Sequence, residues 1–301
     1  MNLRQLEYLV AIADDGSFRA AAHRLHVAAP SISQQVRLLE LELGGPLLER
    51  LPRGARLTPA GRAFLPEART ALLAAQRAQR AGRSALTLEL AEIEIATVLS
   101  LAVGLLPSAI QRMCDAHPGM SVRLHEFAHR DALADAIDAG VGDLAVGPMP
   151  PPGRAGPEVF LGYESFVAIV GRRHRAFASA SPIRLQSLAD DGWILFPASH
   201  GLRDVVLAIC ASAGFTPRDA VRTAQVEAAA RLAAAGVGVA IVPANIVPPD
   251  LDAHVRQTDP PIFRRLGAYT RVEWSPQADA LIAALAESPW VEPPVGAFVL
   301  S

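Results

Sequence analysis

The chain has 301 residues, room for two or three domains of ordinary size. It contains no run of about 18 apolar residues able to cross a bilayer and no basic head leading into an apolar core of the secretory kind, so a cytoplasmic protein with no membrane partner is expected. Two cysteines, Cys114 and Cys210, are too few for a disulfide framework or a zinc cluster, so no metal and no cofactor is expected. Net charge is −2, yet residues 1–90 hold twelve arginines against eight carboxylates, +4, which leaves −6 for the rest. A basic head on an acidic body is the asymmetry of a protein in which one domain alone touches nucleic acid.

Leu3, Leu6, Leu9 and Val10 give residues 1–13 one apolar face, a first helix closed by Asp14-Asp15-Gly16. Ser17 is placed to cap a second helix, in which Phe18, Ala21, Ala22 and Leu25 recur at helical spacing. A break at 26–29 follows, and Pro30 suits the first position of a third helix. Ile32, Val36, Leu39 and Leu43 line its inner face; Ser31, Ser33, Gln34, Arg37 and Glu40 lie on others. Two short helices across a tight turn, 18–37, form a helix-turn-helix pattern, although a helix pair in an ordinary bundle would read alike. Ser and Gln on an outer face can bond base edges, and Arg reaches guanine or phosphate. Gly44 and Pro46 end the helix; Arg50, Arg53 and Arg56 then flank Gly54 in a basic hairpin suited to phosphates, and Thr58 can cap the next helix.

Residues 59–84 read as a long alanine-rich helix, with Leu65, Ala68, Leu72, Ala75 and Gln79 as a pairing seam and Pro66 as a kink or a start. From Leu88 strands and helices alternate: strands 93–97, 121–125 and 143–147, helices 101–117 and 131–139, then a Pro/Gly loop over 149–157. This rhythm calls for a mainly parallel sheet covered by helices. A second lobe opens at 166–170 and continues through strands 193–196, 221–224 and 239–242 and helices 203–213 and 226–235. Strand 266–272 and helix 277–287 return to the first lobe. Gly236-x-Gly238 follows a helix and lacks a third glycine, which rejects a dinucleotide fingerprint. Ser199, His200 and Asp204 lie close in sequence, which is no evidence of a catalytic triad.

Leu6, Phe18, Ala21, Ala22, Leu25, Pro30, Ser33, Leu39, Glu40, Leu43, Gly44, Leu47, Arg50, Leu57, Thr58 and Gly61 stand at the spacings at which the chain resembles the LysR-type transcriptional regulators. Gly140, Gly142, Asp143 and the run 234–243 resemble the effector domain of that family, and the resemblance ends near residue 288. It implies an α/β protein with a winged helix-turn-helix domain (1–58), a linker and dimerisation helix (59–87) and a two-lobed effector domain like a periplasmic binding protein (88–301). Lobe I would be 88–161 and 266–301, lobe II 162–265. The implied function is a regulator, not an enzyme. It would bind double-stranded operator DNA as a homodimer or homotetramer and answer to a small-molecule effector, with RNA polymerase as a further partner. The DNA-binding set is then Phe18, Pro30, Ser31, Ser33, Gln34, Arg37, Arg50, Arg53, Arg56 and Thr58. In such a fold the strand-to-helix turns face the cleft, which nominates Thr97, Ser100, Ser199 and Gln225 as polar contacts, Phe127 and Pro243 as walls, and Arg203 as the cation for an acidic ligand. Ala28-Ala29 stands where the family usually has Ser-Gln, which removes a polar cap and a base-reading candidate.

Overall fold

The computed structural model describes residues 1–51, 54–86, 92–154, 156–179 and 181–300. Arg53 and the expected domain boundary at 87/88 lie outside the described residues. The chain divides into two compact units, Met1–Glu89 and Leu90–Ser301.

In the first unit, α1 (Leu3–Asp15) starts at a reciprocal cap: Asn2 Oδ1 accepts the Gln5 N–H at 3.0 Å while Gln5 Oε1 accepts that of Asn2 at 2.9 Å. Ser17 Oγ accepts from Ala20 N and starts α2 (Phe18–Arg24). Ala28 gives α3 (Ala29–Leu43) no side-chain cap, and Pro30 occupies its second position. Leu6, Leu9, Ile12, Ala21, Ile32, Val36 and Leu39 close the core, whereas Leu43, expected inside, is 45% exposed because α3 outruns the core it covers. Strands β1 (Leu48–Leu51) and β2 (Gly54–Leu57) pair antiparallel as the wing. Ala55 N donates to the Gly16 carbonyl at 2.8 Å. A Cβ on Gly54 would sit 2.6 Å from that same oxygen, so this approach requires glycine. Helix α4 (Pro59–Leu86) neither starts nor stops at Pro66 but runs through it. Its expected pairing seam is corrected in part: Ala68 is buried in the core beside α1, with Leu72 packed against it, so that side is already occupied within one chain.

The second unit is built on β3 (Glu92–Val98), β4 (Ser121–Phe127) and β5 (Leu144–Pro148), parallel in the order β5-β3-β4. The single expected helix at 101–117 is two, α5 (Leu99–Gly104) and α6 (Leu106–Ala116), divided at Leu105 ahead of Pro107. Helix α7 (Arg130–Ala139) links β4 to β5. Strand β6 (Glu158–Ile169) begins eight residues earlier than the apolar run at Phe166 suggests, because its first residues alternate exposed and half-buried positions. Lobe II adds β7 (Ile183–Arg184), β8 (Gly192–Leu195), α8 (Gly201–Ser212), β9 (Arg218–Arg222), α9 (Val226–Ala234) and β10 (Ala240–Pro243), the last antiparallel to β6. After β11 (Val255–Arg256) and β12 (Thr258–Asp259), β13 (Ile262–Tyr269) pairs antiparallel with β6 along its length and with β5 at Leu266–Tyr269. The two crossings between lobes are therefore adjacent strands of one ladder. Helix α10 (Pro276–Ala286) packs on lobe I, but β14 (Phe298–Leu300) pairs with β13 at 262–264 and packs on the lobe II core. The end of the chain is thus not part of lobe I as expected.

A candidate DNA-binding face and a candidate ligand cleft

On the outer side of α3, Ser31, Gln34 and Arg37 are exposed and Ser33 is half-buried. With Pro30, Glu40 and Arg50 of the wing, three of them (Ser33, Gln34 and Arg37) border one shallow depression. Arg50 lies over the Phe18 ring, 4.7 Å from guanidinium carbon to centroid, and its Nη2 donates to Ser33 Oγ at 2.7 Å. Phe18 is thus a platform under the arginine. Ser33 accepts from Arg50 and keeps its own proton to donate. Glu40 Oε1 accepts the N–H groups of Leu47 and Leu48, at 2.8 and 3.0 Å, and so fixes the root of the wing.

Two expected contacts change role. Thr58 is buried; its hydroxyl donates to the Pro46 carbonyl at 2.8 Å and accepts from Gly61 N at 3.0 Å, which makes it a helix cap with no hydrogen left for a phosphate. Arg56 is exposed but paired across the hairpin with Glu49, Nε to Oε2 at 3.1 Å, so part of its charge is already answered.

In the second unit a cleft of about 300 Å³ opens at the ends of β3 and β5, walled by the starts of α5, α7 and α8 and by Arg264 of β13. Of the seven residues nominated from sequence only Ser100 borders it. Thr97 is wholly buried with Oγ1 donating to the Val146 carbonyl at 2.8 Å, so it ties β3 to β5. Arg203 Nη1 donates to the Phe196 carbonyl at 3.0 Å and does not reach the cleft. Ser199 and Gln225 are exposed outside it, Phe127 packs on the lobe I core, and Pro243 ends β10 in the lobe II core. The cleft has two arginines, the exposed Arg130 of α7 and the buried Arg264, which no sequence pattern indicated. Arg264 Nε binds Glu164 Oε2 at 3.1 Å and its Nη2 approaches Ser100 Oγ at 3.5 Å; Nη1 takes part in neither bond. Glu164 also accepts from Asn245 Nδ2 at 3.3 Å.

His200, at the start of α8, is 3% exposed. Its Nδ1 accepts from Leu202 N at 3.2 Å, which puts the ring proton on Nε2, and Nε2 has no hydrogen-bond partner among the described residues. Burial first, then the charges of Arg264 and His129, push its pKa below the ordinary histidine value, so the ring is a neutral donor. Asp204 binds His129 Nε2 at 3.0 Å rather than His200, which disposes of the triad. That pair and the Gly201 N–H to Ala128 carbonyl bond, 2.7 Å, fasten the two lobes at the cleft.

A winged helix-turn-helix unit joined to a two-lobed unit with a donor-lined cleft defines a DNA-binding transcription regulator with an effector-type domain. The family model described as "Bacterial regulatory helix-turn-helix protein, lysR family" matches residues 3–62, and that of the "LysR substrate binding domain" matches 88–290. The chain is 32% identical over 248 residues to the HTH-type transcriptional regulator ClcR of Pseudomonas putida, 82% of this chain and 84% of that protein. It is 32% identical over 251 residues to the DNA-binding transcriptional dual regulator OxyR of Escherichia coli strain K12, 83% and 81%. Full-length CbnR in complex with its target DNA is similar in structure, with a TM-score of 0.72 at 27% identity over 95% of this chain and 99% of that one. The chain belongs to the LysR family of transcriptional regulators and is not an enzyme.

Proposed function

We propose that the chain reads operator DNA as an oligomer, with Ser31, Ser33, Gln34 and Arg37 in the major groove and Arg50 and Arg53 on phosphates, and that a small organic acid with an apolar body, bound in the cleft, changes that reading. The carrying observation is the neutral, buried Nε2–H of His200, without a partner among the described residues, at a cleft that Ser100 and Arg264 also border. A buried donor without a partner costs about 1–3 kcal/mol, and a carboxylate oxygen would recover it. Leu202, Val205 and Ala208 give the same cleft an apolar side. Asp131 and Asp204 also border it, but both are largely exposed and both engage His129.

A peroxide-sensing reading, suggested by the OxyR relative, finds no support at Cys210. Cys210 is wholly buried and burial pushes its pKa up to about 12, so the nucleophilic thiolate is scarce. Melting of the full chain with benzoate and with benzamide tests the acid reading: the acid should raise the melting temperature and shift the DNA footprint, the uncharged amide of nearly equal shape should do neither. Equal stabilisation by both would remove the acid from the reading.

A further inference from the structure

The residues beyond Trp290 lie outside the stretch matched by the family model, which ends there. Trp290 anchors them on lobe I: it packs against that core, and its indole N–H donates to the Leu285 carbonyl at 3.0 Å. The same ring lies against Gly162 of β6, where an added Cβ would come within 2.3 Å of it. The chain then runs over the surface, with Val291 and Val295 exposed, and ends on the other lobe. There Phe298 N donates to the Pro261 carbonyl at 2.8 Å, β14 pairs in parallel with Ile262, Phe263 and Arg264, and Phe298 and Leu300 pack on the lobe II core. Leu300 stands opposite Arg264 in that ladder and borders the cleft.

We propose that β14 is a wall of the ligand site and that Leu300 sets the size of the ligand's apolar body. The proposal rests on the cleft being the effector site. Arg264 is held from one side by Glu164, from another by the β14 ladder, so an acid bound at its guanidinium would lie beside the Leu300 side chain. The tail is also a third link between lobes, one that is not continuous with the two crossing strands.

The test uses the full chain. Hydrogen exchange without ligand reads the amides of 298 and 300, which should be protected by the ladder. Calorimetry with acetate, benzoate and 1-naphthoate then gives the preference of the wild type. Leu300→Ala should move the ratio of dissociation constants by about tenfold toward naphthoate, and Leu300→Trp by a similar factor toward acetate, the scale of a few methylenes in an apolar pocket. Exchange at 262–264 shows whether each variant keeps its fold. Unprotected amides at 298 and 300, or a ratio that stays within about twofold in folded variants, would overturn the wall. Protected amides with none of the three acids bound by the wild type would keep the wall and sink the acid reading alone.

Discussion

Arg50 shows how little a single arginine's position says about its task. It stacks on Phe18 and donates to Ser33, so it joins wing, α2 and α3 before any DNA is present. Such a contact contributes about 0.5–1 kcal/mol at an exposed site, and it pre-orders the one wing cation among the described residues whose partners are not acidic. Arg50→Ala should therefore weaken all DNA sequences alike and lower the salt slope by about one unit. Gln34→Ala should instead change which operator variants bind, by about 1–3 kcal/mol per lost base contact; mobility shifts over an operator panel at two salt concentrations separate the two. At the cleft, His200 makes a pH prediction. Its pKa is depressed in the folded state, so below the ordinary histidine value of about 6.5 the unfolded chain takes up a proton first. The stability tied to the neutral ring is complete above that value and is lost as pH falls from it toward the depressed one. Urea unfolding at pH 7.5 and pH 5.0 should show a smaller loss in His200→Gln than in the wild type.

Elements were legible where a period met a cap. Ser17, Gly44 and the 26–29 break mark α2 and α3 with almost no tertiary information, and βαβ alternation marks lobe I. What escaped was pairing between distant segments. Arg264 enters the cleft only through the register of β13 against β6, Arg264 opposite Glu164, a relation across a hundred residues that no local spacing encodes. The sequence turns nominated Thr97 by position alone, and the β3–β5 contact had already engaged it. Helix α4 presents the same lesson in a form that can be tested. Its Ala68 side is taken by α1, while Leu65 and Leu73 are half-buried without belonging to that core. If the chain pairs through α4, Leu65 and Leu73 are apolar side chains left for it, and Leu65→Glu with Leu73→Glu should then give a monomer at micromolar concentration in sedimentation. A monomeric wild type would sink the oligomer itself.

Within the second unit the lobes communicate through β6 and β13, which are hydrogen-bonded neighbours from Ile262↔Phe166 to Tyr269↔Glu158. Such a pair behaves as a torsion bar: it resists being pulled apart or bent out of plane, and yields most easily by twisting about its long axis. The ladder slips register between Leu266 and Gly267, and a slip is where pairing is locally broken and twist concentrates. Beside it Gly267 has Met149 Sδ only 2.2 Å from where a Cβ would be. A ligand-linked change that keeps this ladder intact would accordingly be angular, a rotation of one lobe against the other. A wide jaw-like opening would first have to unzip the strands that join them.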